Sequence, residues 1–197
     1  MTELIRKAET SDLSDVTVLL DMASHGLLNT LWRQQAGEEE SPVVLGRERI
    51  RTRTDLPSYI ENWQVMVSGA DIAGGCAGYK VPEPYKPGDA AELPQFYEPL
   101  LALEAHAAGT FHMIALAVFP AYRNQGIATK LLLDMERIAS LSNCNIMSII
   151  AKDSNRLACS LYEKHGYIIA ANRQTVPTTG FSKTGKWLLY QRSLMTS

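Results

Sequence analysis

The chain has 197 residues, 46% of them hydrophobic, with 19 basic against 21 acidic side chains and a net charge of −2. That length suits one domain with a substantial core, and the near-neutral charge gives no global electrostatic case for a nucleic acid or an anionic membrane as partner. No apolar run approaches the roughly 20 residues of a membrane span, and the opening Met-Thr-Glu-Leu-Ile-Arg-Lys lacks the shape of a signal peptide. Three cysteines, Cys76, Cys144 and Cys159, without Cys-x-x-Cys spacing point to a reduced, cytoplasmic chain with no zinc site.

Residues 4–8 read as a first strand. Thr10, Ser11 and Asp12 are N-cap candidates for a helix with Leu13, Val16, Leu19, Leu20 and Ala23 on its apolar face, and Gly26 is its natural stop. Residues 29–35 hold a further helical piece containing Trp32, and the acidic break at 37–42 reads as a solvated loop. The stretch 44–54 carries Arg47, Arg49, Arg51 and Arg53 around Glu48. Two readings stand for it, an anion patch and the wet face of a helix, and the second is the commoner origin of such a run. Residues 59–67 and 72–81 form a predicted hairpin around a turn at 68–71. Gly74, Gly75 and Gly78 inside its second strand predict a bulge, or a place where another chain or ligand runs close to the backbone. Residues 82–89 are a stiff Pro-rich loop. Phe96, Leu100 and Leu103 then put a short helix within 93–106.

The rest of the chain is organised around residues 111–136. An apolar strand at 111–118 must stop near Phe119, because Pro120 has no N–H to give a ladder. From Ile127 the apolar residues fall at Ile127, Leu131, Met135 and Ile138, one face of an amphipathic helix. Arg123-Asn124-Gln125-Gly126-Ile127-Ala128 therefore sits where a loop becomes a helix. A helix start offers free backbone N–H groups and the positive end of the macrodipole, and Gly126 and Ala128 are small enough to let an anion approach them. Phosphate is the obvious anion; an ordinary strand-to-helix turn is the plain alternative. No Gly-Lys-Ser/Thr follows, so the loop is not of the Walker type, and no Gly-x-Gly-x-x-Gly makes it a dinucleotide fingerprint.

Residues 146–151 read as a buried strand, parallel to 111–118 given a crossover of this length. Asp153, Ser154 and Asn155 cap a helix with Leu157, Ala158, Leu161 and Tyr162 on its apolar face. Gly166 ends it, and strands at 167–170 and 187–190 flank a turn-rich segment. The chain is thus predicted to be a single mixed α/β domain over residues 1–197.

Two motifs carry a resemblance. Arg123-x-x-Gly126-x-Ala128 after an apolar strand resembles the pyrophosphate loop of the GNAT superfamily of acyl-CoA-dependent N-acyltransferases, Arg/Gln-x-x-Gly-x-Gly/Ala. Asn155-x-x-Ala158-x-x-Leu161-Tyr162-x-x-x-Gly166-Tyr167 is similar to the Asn-x-x-Ala-x-x-Leu-Tyr-x-x-x-Gly-Phe helix of the same enzymes, with Tyr167 in place of the usual Phe. The motif core is 111–170, within a likeness reaching from 5 to 194. The resemblance implies an α/β (α+β) fold with a mixed, mostly antiparallel central sheet and helices on both faces. It also implies a parallel pair of strands that splay apart at the CoA site.

The resemblance further implies acetyl-CoA as co-substrate, with no metal, and an amine of a small molecule or peptide as acceptor. Leu116, Ala117 and Val118 would offer backbone to the pantetheine arm, and Arg123, Asn124, Gln125, Gly126, Ile127, Ala128 and Thr129 would hold the pyrophosphate. Asn155 and Tyr162 would flank the thiol end. Tyr162 suits the return of a proton to the departing thiolate. For the base, the family's strand position corresponds to His112, with Glu104 as second candidate and direct attack by a neutral amine as a third route. The acceptor site is expected from the variable segments at 27–58, 82–106 and 172–186, where Glu92, Glu98 and Glu104 are acidic and Tyr79, Tyr85, Phe96 and Tyr97 aromatic. A homodimer is compatible with this reading. The rival is a non-catalytic acyl-CoA-binding or regulatory module on the same fold. A DNA-binding regulator using Arg47–Arg53 is disfavoured by the net charge.

Overall fold

The computed structural model describes residues 3–86, 93–178 and 184–194. The elements run β1 (Glu3–Lys7), α1 (Leu13–Ala23), α2 (Leu27–Gln35), α3 (Pro42–Thr52), β2 (Trp63–Ser68), β3 (Asp71–Lys80), α4 (Glu98–His106), β4 (Phe111–Val118), α5 (Ile127–Leu141), β5 (Ile146–Lys152), α6 (Arg156–Lys164), β6 (Ile168–Gln174) and β7 (Lys186–Ser193). Among the described residues the strands make one seven-stranded sheet in the order β1-β2-β3-β4-β5-β7-β6. β4 and β5 are parallel, with Phe111 opposite Met147, His112 opposite Ser148 and Met113 opposite Ile149. β1–β2, β2–β3, β5–β7 and β6–β7 are antiparallel. This is the mixed, mostly antiparallel sheet expected from the sequence.

The chain divides into two compact units, Met1–Tyr79 with Ile114–Met135, and Lys80–Met113 with Glu136–Ser197. In the first, Val16 and Leu19 of α1, Trp32 of α2 and Ile50 of α3 share a core with Trp63, Val65, Ala77 and Ala115 of the sheet. The residue before Ala77 points the other way, as strand alternation requires. There the Cys76 thiol donates to the Leu131 carbonyl of α5 at 3.6 Å. α1 and α5 thus cover opposite faces. α3 turns Gly46 and Ile50 inward; a Cβ on Gly46 would lie 2.6 Å from the Trp32 ring. In α3, Arg51 pairs with Glu48 and Arg49 bonds Gln35, and just past its end Arg53 pairs with Asp55. Arg47 and Arg51 stand on the exposed face of α3, opposite Gly46 and Ile50.

Of the two readings offered for the glycines of β3, the bulge is found. Met66 pairs with Gly74 and Val67 with Ile72, which leaves Ala73 as a bulge. The Ala73 carbonyl accepts from Phe119 N at 2.9 Å. A Cβ on Gly74 would stand 2.7 Å from the Ala117 carbonyl oxygen, so the close neighbour is the backbone of β4.

In the second unit, Tyr190 and Gln191 of β7 point to opposite faces. The Tyr190 hydroxyl donates to Glu163 of α6 at 2.9 Å, and the Gln191 amide donates to the His106 carbonyl of α4 at 3.4 Å. α6 and α4 therefore lie on opposite sides of this part of the sheet. β6 and β7 are longer than predicted. β6 is an edge strand exposed along nearly its whole length, and its polar half carries no apolar alternation; the ladder with β7 holds it. The predicted strand at 59–67 begins only at Trp63, because Ile60–Asn62 forms a single 3-10 turn. Among the described residues no helix is long and apolar enough to cross a membrane.

Candidate active site

β4 ends at Val118, and a single 3-10 turn over Pro120–Tyr122 redirects the chain. The Tyr122 hydroxyl donates to Asp71 at 2.8 Å and pins that turn. Leu116, Ala117 and Val118 are half-buried at the strand end. Arg123 Nε donates back to the Val118 carbonyl at 3.3 Å, which folds its side chain across the end of the strand.

Arg123, Asn124, Gln125 and Gly126 are exposed, whereas Ile127 is buried and anchors the first turn of α5 in the core. Asn124 and Gly126 both take left-handed backbone, with φ of +61° and +78°. Two such residues, one apart, turn the chain sharply into the helix start. The ladder of α5 opens with Lys130 N on the Gly126 carbonyl at 3.1 Å. The N–H groups of Ile127, Ala128 and Thr129 therefore lie ahead of the helical bonds. A Cβ on Gly126 would meet no atom of the protein within 4 Å. The space over this 15-residue helix start is open, and an anion the size of a phosphate fits its chemistry.

In the second unit Asn155 caps α6, its side-chain oxygen accepting from Ala158 N at 3.3 Å. Tyr162 is 4% exposed. Its ring is tilted against Tyr167 and Tyr190, with centroids 5.9 and 5.7 Å away. Tyr167 carries a hydroxyl where the motif usually has Phe, and Glu136 accepts from it at 3.0 Å. Burial, then the Glu136 charge, pushes the Tyr167 phenol far up, and burial does the same to Tyr190.

The two base candidates occupy unlike surroundings. His112 is buried and its Nδ1 lies 2.8 Å from Ser148 Oγ, which in turn is 2.7 Å from Thr110 Oγ1. Burial pushes its imidazole down to about 4, so it is neutral at pH 7. Glu104, on α4, is half-buried and accepts from the Tyr85 hydroxyl at 2.9 Å. Burial raises its carboxyl above the usual range, and the Tyr85 bond opposes that only in part. Tyr97 is pushed up by burial and by the Glu104 charge. Of the other acceptor-side candidates, Glu98 is exposed at the start of α4 and Glu92 lies outside the described residues.

Ser148 and Thr110 escaped the sequence reading. The signal for Ser148 was a lone hydroxyl inside an apolar strand, and for Thr110 its place two residues before His112, on the same strand face. The three cysteines are all buried and free. Burial, with a lesser contribution from Asp134, drives the Cys76 thiol far up, leaving a packed side chain and no nucleophile. Among the described residues no group of three or more His, Cys, Asp or Glu side chains is placed to hold a metal.

The family model described as the acetyltransferase (GNAT) family matches residues 25–167. An N-acetyltransferase from Staphylococcus aureus Mu50 has 15% identity and a TM-score of 0.64, covering 99% of this chain and 100% of its own. YncA from Salmonella typhimurium, solved with its cofactor acetyl-CoA, has 15% identity and a TM-score of 0.61 over 100% and 96% of the two chains. The PaiA N-acetyltransferase of Thermoplasma acidophilum, in complex with coenzyme A, has 14% identity and a TM-score of 0.57 over 98% and 99%. No curated protein sequence matches the chain.

Proposed function

The chain belongs to the GNAT acetyltransferase family, and from that membership we propose that it transfers an acetyl group from acetyl-CoA to a primary amine of a small molecule or peptide, by direct attack in a ternary complex. The observation that carries the reading is the Arg123–Gly126 loop, which leads with left-handed backbone into the first turn of α5, whose ladder opens only at Lys130 N. In this reading Arg123, Asn124, Gln125, Gly126, Ile127, Ala128 and Thr129 hold the pyrophosphate, mainly through backbone N–H and the helix dipole. Leu116, Ala117 and Val118 offer strand backbone to the pantetheine amides, and Asn155 and Tyr162 attend the thioester.

The reaction sets two proton tasks. An ammonium must lose a proton before its nitrogen attacks the thioester carbon; as the C–N bond forms and the C–S bond breaks, the nitrogen sheds a second proton and the leaving thiolate must gain one. Tyr162 gives its phenolic proton to the thiolate and is reprotonated by the one the nitrogen sheds. For the first task Glu104 is the better matched base, because its raised carboxyl moves toward the operating pH. An imidazole held near 4 takes a proton from an ammonium too reluctantly. His112 serves instead as a neutral group that orients the amine.

Release of free thiol from acetyl-CoA, followed across a panel of amines, tests the reading. Turnover with at least one primary amine supports it. Saturable acetyl-CoA binding without turnover on any amine would establish the non-catalytic module in its place. Glu104→Gln is expected to lower kcat about a hundredfold while leaving acetyl-CoA affinity unchanged. Wild-type turnover in that variant would remove Glu104 from the mechanism.

A further inference from the structure

The buried hydroxyls beside His112 form a chain whose protons can be counted. Thr110 Oγ1 lies 2.7 Å from the Ala107 carbonyl oxygen and 2.7 Å from Ser148 Oγ, and Ser148 Oγ lies 2.8 Å from His112 Nδ1. A carbonyl oxygen only accepts, so the single hydroxyl proton of Thr110 points at Ala107. Thr110 must then accept from Ser148, which uses the single Ser148 proton. Only a lone pair of Ser148 is left to face the ring, and that contact is a hydrogen bond only when Nδ1 carries the hydrogen.

We infer that Thr110 and Ser148 hold His112 as its Nδ1–H tautomer, so that Nε2 presents a lone pair. The three side chains are 4%, 0% and 2% exposed for Thr110, Ser148 and His112, so water does not compete for these protons. The register adds to this, because His112 and Ser148 are directly paired across the parallel strands β4 and β5 and cannot drift apart without breaking the ladder. The lowered imidazole pKa agrees with a neutral ring.

The tautomer decides between two kinds of work. A ring with Nε2–H donates, and would suit a thioester oxygen as negative charge develops on it. A ring with an unprotonated Nε2 accepts a hydrogen bond, and suits the N–H of an amine that it orients without taking its proton. His112 belongs to the second kind, and Thr110 and Ser148 are positioning residues that act through it. This rests on the acetyltransferase reading for its role in turnover, but the tautomer itself does not.

The experiment is nitrogen NMR of the histidine rings in the full chain, with His112→Asn assigning the His112 signals. Wild type is expected to show a protonated-type Nδ1 and an unprotonated-type Nε2 at neutral pH. Thr110→Val removes the acceptor that takes the Ser148 proton; Ser148 then donates to Nδ1 and the ring flips to Nε2–H. Thr110→Ser keeps the relay and the wild-type signature. In turnover, Thr110→Val is expected to lower kcat about tenfold or more with KM for acetyl-CoA within about twofold, and Thr110→Ser to restore it. An Nε2–H or doubly protonated ring in wild type overturns the inference. So does a folded Thr110→Val protein that keeps Nδ1–H. If Thr110→Val does not fold, the wild-type and Thr110→Ser spectra still decide. Should wild type release no thiol from any amine, the acetyltransferase reading falls, while the spectra continue to judge the tautomer.

Discussion

Gly126 separates folding from binding at a single position. Its φ of +78° strains any other residue by roughly 1–2 kcal/mol, yet a Cβ there would touch nothing in the protein within 4 Å. Gly126→Val therefore costs the fold little beyond backbone strain, while its branched side chain stands over the N–H groups of the helix start. Calorimetric titration with acetyl-CoA is expected to show at least about tenfold weaker binding, and Gly126→Ala a smaller loss. Wild-type affinity in a folded valine variant would mean that this loop is not the phosphate holder. Tyr162 is the complementary case. Tyr162→Phe keeps the ring that packs on Tyr167 and Tyr190 and removes one oxygen. If that oxygen protonates the thiolate, kcat falls about a hundredfold with unchanged acetyl-CoA affinity; an unchanged kcat assigns Tyr162 to packing alone.

Between elements, the departure of Tyr167 from the motif's Phe has a physical answer. Its hydroxyl, buried with the ring, reaches Glu136 on α5, and Arg192 Nη1 on β7 reaches the same carboxylate oxygen at 2.7 Å. Glu136 thus ties the end of α5 to both flanking segments. Glu136→Ala would strand a buried phenol and a partly buried guanidinium, and is expected to destabilise by about 2–3 kcal/mol in a urea midpoint measurement. A loss below about 0.5 kcal/mol, as for an exposed pair, would show that the tie is idle. This tie is not legible in the sequence, for the same reason that the hydroxyls beside His112 are not. β4, the loop and α5 were legible because their signals are local: Pro120 ends the strand, and the period from Ile127 marks one helix face. α6 was legible from its cap at Asn155 and its stop at Gly166. The partners Thr110 and Ser148 lie 38 residues apart, and Tyr85 and Glu104 lie 19 apart. Such pairs exist only once the sheet register and the packing of α4 are set. The outer half of β6 was illegible because a sheet edge exposed on its faces has no apolar alternation to read.

At the scale of the whole chain, the buried titratable groups set opposing responses to acid. An unfolded histidine titrates near 6.5, whereas His112 in the fold is held at about 4. Between those values the unfolded chain binds a proton that the folded chain refuses, so stability is present above about pH 6.5 and is lost as pH falls toward 4. The swing is about 3 kcal/mol. Glu104 works the other way. Burial raises its carboxyl, so the folded chain binds that proton more readily, and its contribution grows as pH falls through its folded value. Asp12, held down chiefly by its bond to Arg6, withdraws stability only below the ordinary carboxylate range. A single acid-unfolding curve would mix the three. The difference between wild type and His112→Asn isolates one, since asparagine keeps a donor near the Nδ1 position and does not titrate. Urea unfolding of both proteins at pH 7 and pH 4 is expected to show the wild-type margin shrinking by about 3 kcal/mol across that interval. A margin that stays flat would mean that the imidazole titrates alike in both states, and the buried, neutral ring on which the Ser148–Thr110 relay depends would have to be given up.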